Sequence, residues 1–223
     1  MGLFENKIKQ FPKIFDWVER QDVSRLSNFL LDNERCNRLF VASGGSFSAA
    51  VYAEQLSADK GIMSHALTPL LYAGSGFAHV AARTLLISAS GYNNDILRAY
   101  DNGCRAEEQE VGAVVLTSKG RLQTLMQEND ANSLFGFDIP TGRDGFLSST
   151  TVLAFYTLLY RAFGHAELSS VSTDISEKEQ EEINGFVNRL KRISLDELTE
   201  HEAFLHKLEG VDSFFVLYSA KSY

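Results

Sequence analysis

Short apolar runs alternate along this chain with longer amphipathic stretches, and the alternation sets the expected fold. Residues 38–43 (RLFVAS), 83–89 (RTLLISA) and 111–117 (VGAVVLT) are apolar for too few positions to make a buried helix, and glycine or small polar residues follow them. Each therefore predicts a buried strand. Residues 62–68 predict a weaker strand and residues 133–139 a fifth. Between them, Ser46 is expected to N-cap an alanine-rich helix that ends near Gly61, and helices are expected over 94–106 and 120–128. Residues 146–163 (FLSSTTVLAFYTLLYRAF) predict a long helix whose lack of polar interruption implies burial. Upstream, Phe4, Ile8, Phe11, Phe15 and Val18 recur at helical spacing. They predict one or two helices over residues 3–31, bent near Pro12.

Strands alternating with helices predict a parallel sheet covered on both faces. The expected class is α/β: a three-layer α-β-α sandwich on a five-stranded parallel, flavodoxin-like sheet. An N-terminal helical segment (1–34) precedes this domain (35–167), and a helical extension follows it (168–210). Near Ser169 the chain turns polar and acidic (SSVSTDISEKEQEE), after which Ile183, Phe186, Leu190 and Ile193 fall at helical spacing. Residues 211–219 (VDSFFVLYS) then predict another buried strand. That strand has no following helix to cover it. The expectation is that residues 211–223 open a second domain that continues beyond Tyr223, or that another chain supplies the cover.

In a doubly wound sheet, ligands bind beyond the carboxyl ends of the strands, where strand order reverses. Here that crevice is expected between the strand at 38–43 and the strand at 83–89. The turns leaving those strands are Ser43-Gly44-Gly45-Ser46-Phe47-Ser48 and Ser88-Ala89-Ser90-Gly91-Tyr92-Asn93-Asn94-Asp95. Both are dense in glycine and small hydroxyls, and both run into helix starts. Glycine lets a ligand approach the backbone, helix starts offer unpaired N–H groups, and hydroxyls add donors. This is an anion site that needs little help from cations. The same serines also serve as ordinary helix caps in many proteins, and for either turn alone that reading is equally good. A third cluster at 141–150 (TGRDGFLSST) opens the long apolar helix, where Ser148 and Ser149 are candidates for further hydroxyls and Arg143 for a phosphate or a neighbouring acid.

Composition narrows the class. A net charge of -8, from 21 Lys+Arg against 29 Asp+Glu, argues against nucleic acid and anionic membrane as partners. Cys36 and Cys104 fit neither a zinc site nor a disulfide framework, so a reducing cytoplasm is expected. No G-x-G-x-x-G follows the first strand, and neither a P-loop nor a G-x-S-x-G elbow occurs. His201 and His206, five apart, would not share a helix face well, and no other histidine pair has metal spacing. No cofactor and no metal are expected.

The three clusters, in this order, resemble the sugar isomerase (SIS) domain family. The carriers are VASGGSFSAA, LISASGYNNDILRA and GFLSSTTVLAF, over about residues 35 to 165. The Ser-x-Ser-Gly turn with an Asp beyond it is the specific part. The resemblance implies a sugar-phosphate ligand, with Ser46, Ser88, Ser90 and Asn93 on the phosphate. Gly44, Gly45 and Gly91 would give backbone access, and Ser148 is a further contact. Many members carry Thr or Glu where this chain has Tyr92 and Asn93. The resemblance also implies an aldose–ketose or amino-sugar-phosphate isomerase when the protein is complete, its base on a second domain. The alternative is a non-catalytic module that senses a phosphosugar. Glu54 is a weak candidate base, His79 lies before the second strong strand, and the catalytic residues are left open. A homo-oligomer is expected, both from the resemblance and from the apolar surface of the first and last helices.

Overall fold

The computed structural model describes residues 10–32, 36–74, 82–105, 109–128, 133–142 and 149–170. Two helices come first, α1 (Phe11–Glu19) and α2 (Ser24–Leu31). Strand β1 (Asn37–Ala42) follows, then a 3-10 turn (Gly44–Ser46) running directly into α3 (Phe47–Asp59). After β2 (Ser64–Leu67) and the short α4 (Pro69–Gly74) come β3 (Ala82–Ser88) and α5 (Asn94–Cys104). The rest is β4 (Gln109–Val115), α6 (Arg121–Gln127), β5 (Ser133–Gly136) and α7 (Ser149–Ser170).

All five strands are parallel, in the order β2-β1-β3-β4-β5. This is the α/β sheet that the sequence predicts, and its order reverses between β1 and β3. Successive side chains of a strand face opposite sides. Phe40 and Ala42 therefore join one core with Leu85 and Ile87, under α1, α2, α3 and α7. Leu39 and Val41 join the other with Leu86 and Val115, under α4, α5 and α6. Phe40, Val41, Leu86 and Ile87 are fully buried, each stabilising the fold by roughly 1.5–3 kcal/mol. On α7, Ala154, Phe155, Leu158 and Phe163 face the N-terminal helices and α3. The described parts of the first and last helices thus pack on each other.

Several local expectations need correction. Pro12 lies in the first turn of α1, where its fixed φ suits a helix start and its missing N–H is not needed; residues 3–9, and with them the expected bend, lie outside the described residues. Ser46 does not cap α3. Its backbone is already helical (φ -73, ψ -15) and no side-chain cap bond forms, because the 3-10 turn moves the entry point back to Ser43. Helix α4 was not expected. The last helix runs to Ser170, past Phe163. Residues 143–148, 171–223 and His79 lie outside the described residues, and with them Arg143, Ser148 and the expected connection and final strand.

At the amino ends of the strands, two arginines meet the end of α2. Arg38, 1% exposed, donates from Nε to the Leu30 carbonyl at 2.8 Å and from Nη2 to the Asp32 carbonyl at 2.6 Å. Its Nη1 donates to the Cys36 carbonyl at 2.5 Å. Arg83, its register partner on β3, donates to the Phe29 and Asp32 carbonyls at 3.1 and 2.7 Å and pairs with Glu110 on β4. A helix end leaves carbonyls without intrahelical partners, and cations there suit its dipole. Burial, and then the neighbouring Arg83 charge, push the Arg38 pKa down.

Candidate functional site

A cleft of about 530 Å³ opens at the opposite end of the sheet, over the carboxyl ends of β1, β3, β4 and β5. The expected crevice is there, and both expected turns reach it. Gly45 and Ser46 line it from the β1 turn; Ser88, Ser90 and Asn93 line it from the β3 turn. Asn93 joins the two. Its Nδ2 donates to Ser43 Oγ at 3.0 Å, across the reversal of strand order. Its Oδ1 accepts from the N–H of Asp95 at 2.8 Å and of Ile96 at 3.3 Å, which caps α5. One side chain therefore fixes a helix start and ties two loops fifty residues apart.

Gly44 and Gly91 hold φ of +57° and +67°, the left-handed region that favours glycine. They differ in surroundings. A Cβ on Gly44 would meet open space, whereas one on Gly91 would strike the buried side chain of Gln123. Gly120 is held in the same way, between Gln123 and the Ser90 carbonyl. Gln123 anchors itself through Nε2 to the Thr117 carbonyl at 2.9 Å, so the β3 and β4 turns are packed as one unit. The Leu122 N–H adds a bond to the Gly91 carbonyl at 2.9 Å.

The donors differ from expectation. The β3 turn was expected to offer main-chain amides to an anion, but side chains already accept those of Gly91, Tyr92 and Asp95. Gly91 N–H donates to Ser88 Oγ at 3.2 Å and Tyr92 N–H to Ser90 Oγ at 3.3 Å, while Asn93 takes the amides of Asp95 and Ile96. Gly91 thus shapes the turn instead of lending its N–H. A hydroxyl that accepts from an amide keeps its own proton to donate. The β3 turn therefore presents hydroxyl protons of Ser88 and Ser90 to the cleft. In the β1 turn, Gly44 and Gly45 head the 3-10 turn, where N–H groups have no acceptor within the helix.

Sequence reasoning missed a third turn, at the end of β4. Thr117 and Lys119 line the cleft, as do Asp138 and Ile139 beyond β5 and Thr151 on α7. The signal was the same as for the other two, a small-residue turn with glycine (Thr117-Ser118-Lys119-Gly120) after a buried strand. Ser118 N–H donates to Asp138 Oδ1 at 2.5 Å, and Lys119 N–H to Thr117 Oγ1 at 3.2 Å. Glu54 does not line the cleft; it stands 3.8 Å from His65 Nδ1 on β2. Among the described residues no cluster of metal-binding side chains occurs, and no helix is long and apolar enough to cross a membrane.

By sequence, no family model and no curated protein matches the chain. Solved structures match by fold. The tagatose-6-phosphate ketose/aldose isomerase of Escherichia coli superposes with a TM-score of 0.57 at 20% identity, over 73% of this chain and 47% of that one. This chain has the fold of a sugar isomerase domain. The phosphoheptose isomerase of Francisella tularensis gives 0.54 at 14% identity, over 74% of this chain and 97% of that one. The NanR protein of Vibrio vulnificus, complexed with ManNAc-6P, gives 0.58 at 11% identity, over 87% and 71%. The chain spans about half the length of the tagatose-6-phosphate isomerase it matches. The SIS fold agrees with the resemblance carried by the three sequence clusters, and residues of all three line one cleft, Thr151 from the third.

Proposed function

We propose that the chain binds a sugar phosphate in this cleft, with the phosphate on the β1 and β3 turns and the sugar toward β4 and β5. The observation that carries the reading is the Asn93–Ser43 hydrogen bond, which holds the two turns together over the reversal of strand order. Ser46, Ser88 and Ser90 would donate hydroxyl protons, Gly44 and Gly45 their amides, and Ser148 is a further candidate. The neighbours support the class of ligand: two are isomerases of phosphosugars by name, and NanR is complexed with ManNAc-6P. Calorimetric titration with fructose 6-phosphate and arabinose 5-phosphate, against fructose and arabinose, tests the reading. Binding that requires the phosphate supports it; no binding of either ester ends it.

As an enzyme, the protein would interconvert an aldose and a ketose phosphate. That reaction needs a base to move a proton between C1 and C2. The described titratable groups on the cleft are Tyr92, Lys119 and Asp138, and Asp138 is engaged by the Ser118 amide. The base would then come from residues beyond those described. The second reading is a sensor without catalysis, favoured by the NanR match over 87% of this chain, a complex with ManNAc-6P whose name states no reaction. Incubation with phosphosugars in deuterated water separates them: deuterium at C1 or C2 marks the enzyme, and binding without exchange marks the sensor. A homo-oligomer in a reducing cytoplasm belongs to the same reading, and light scattering on the purified chain tests the assembly.

A further inference from the structure

The cleft holds a cation that the phosphosugar reading does not use. We infer that Lys119 supplies the counter-charge to the ligand's phosphate, an inference that rests on that reading. The two turns proposed to seat the phosphate, residues 43–48 and 88–95, contain no Lys or Arg, and Asp95 adds a negative charge. The whole chain carries a net charge of -8. Neutral donors alone would have to hold a dianion against this field. Dipoles and hydroxyls can solvate the charge, but an opposite charge in a partly dry cleft lowers its energy further.

Lys119 is positioned for this. It lines the same cleft, and the next residue, Gly120, packs against the Ser90 carbonyl of the phosphate turn. The turn that carries it is pinned on both sides: Asp138 accepts from Ser118 N–H, Thr117 Oγ1 accepts from Lys119 N–H, and the Leu116 N–H donates to the Ala89 carbonyl at 3.1 Å. Among the described residues no carboxylate pairs with the Lys119 ammonium; Asp138 is directed to the backbone instead. The carboxylate on the same cleft thus fixes the loop that carries the lysine and makes no ion pair with it.

The test is calorimetry with two probes, inorganic phosphate and fructose 6-phosphate, on the full chain and its K119M and K119R variants. Lys119 is exposed, so the variants should melt at the wild-type temperature. Loss of a charge-assisted contact predicts that K119M weakens both probes by roughly ten- to a hundredfold. K119R, which keeps the charge, should stay within about threefold of wild type. Wild-type affinity of K119M for both probes overturns the inference and leaves the binding reading intact. So does a loss confined to fructose 6-phosphate, which would put the lysine on the sugar. A wild-type chain that binds neither probe overturns the phosphosugar reading and the lysine's role with it.

Discussion

The two ends of the sheet obey one rule with opposite outcomes. At the amino ends, Arg38 and Arg83 fill the carbonyls that α2 leaves open, and the guanidinium of Arg38 is itself buried. Among the described residues these donors and acceptors match within the protein. At the carboxyl ends, hydroxyls accept the amides that the β3 turn leaves open, and each hydroxyl keeps a proton. In the β3 turn, as at the end of α2, side chains meet the backbone, while the β1 turn keeps the Gly44 and Gly45 amides open. Among the described residues, the second end has hydrogen-bonding capacity left over. The choice of side chain, cation or hydroxyl, decides whether a loop cluster is closed structure or a binding surface.

The sharpest way to break this comparison is Arg38→Met. It takes the donor from the Leu30 and Cys36 carbonyls, while Asp32 keeps Arg83, so unfolding in urea should show a loss of about 3 kcal/mol. Phosphosugar affinity of the folded variant should be unchanged; a matching drop in affinity would mean that the two ends are not independent. Next is Gly91→Ala. Its φ of +67° and the displaced Gln123 together predict a loss of about 2 kcal/mol or more by thermal melting, with phosphosugar binding lost. Gly44→Ala has the backbone cost without the collision, so it should cost only about 1–2 kcal/mol. Equal losses at the two glycines would mean that Gln123 yields freely. Asn93→Asp keeps the oxygen that caps α5 and removes the amide that reaches Ser43. Stability should change by less than about 1 kcal/mol while affinity for fructose 6-phosphate falls roughly tenfold. Retained affinity would show that the loops need no tie. The smallest effect belongs to Ser90→Ala, within about 0.5 kcal/mol of wild-type stability but several-fold weaker for inorganic phosphate by calorimetry.

Much of the fold was legible because a parallel strand covered on both faces is apolar at nearly every position. RLFVAS, RTLLISA and VGAVVLT could hardly be anything else. The edge strand β2 gave a weaker signal, since its burial alternates and only Leu67 is fully covered. Helix α4 gave none: it is one and a half turns long and exposes Leu70 and Leu71. At the site, the two Gly/Ser turns could be found because strand ends and glycines are local features. Whether an amide is free was not legible. It depends on the angle at which Ser88 or Ser90 folds back onto its own turn, and the same four letters allow either geometry. Lys119 was not legible because the reversal of strand order points to the β1 and β3 turns alone, while the cleft extends two strands further.

Gly91, Gly120 and Gln123 carry a consequence for how such a chain can diverge. The amide group of Gln123 fills the space that side chains at 91 and 120 would need. A larger residue at 91 is opposed while the glutamine stays, one at 120 would also meet the Ser90 carbonyl whatever stands at 123, and a shorter residue at 123 opens a hollow between two loops. Among descendants of this sequence, Gly120 should stay fixed and position 91 should change only together with 123. That linked inheritance would be visible in any sufficiently deep collection of its relatives.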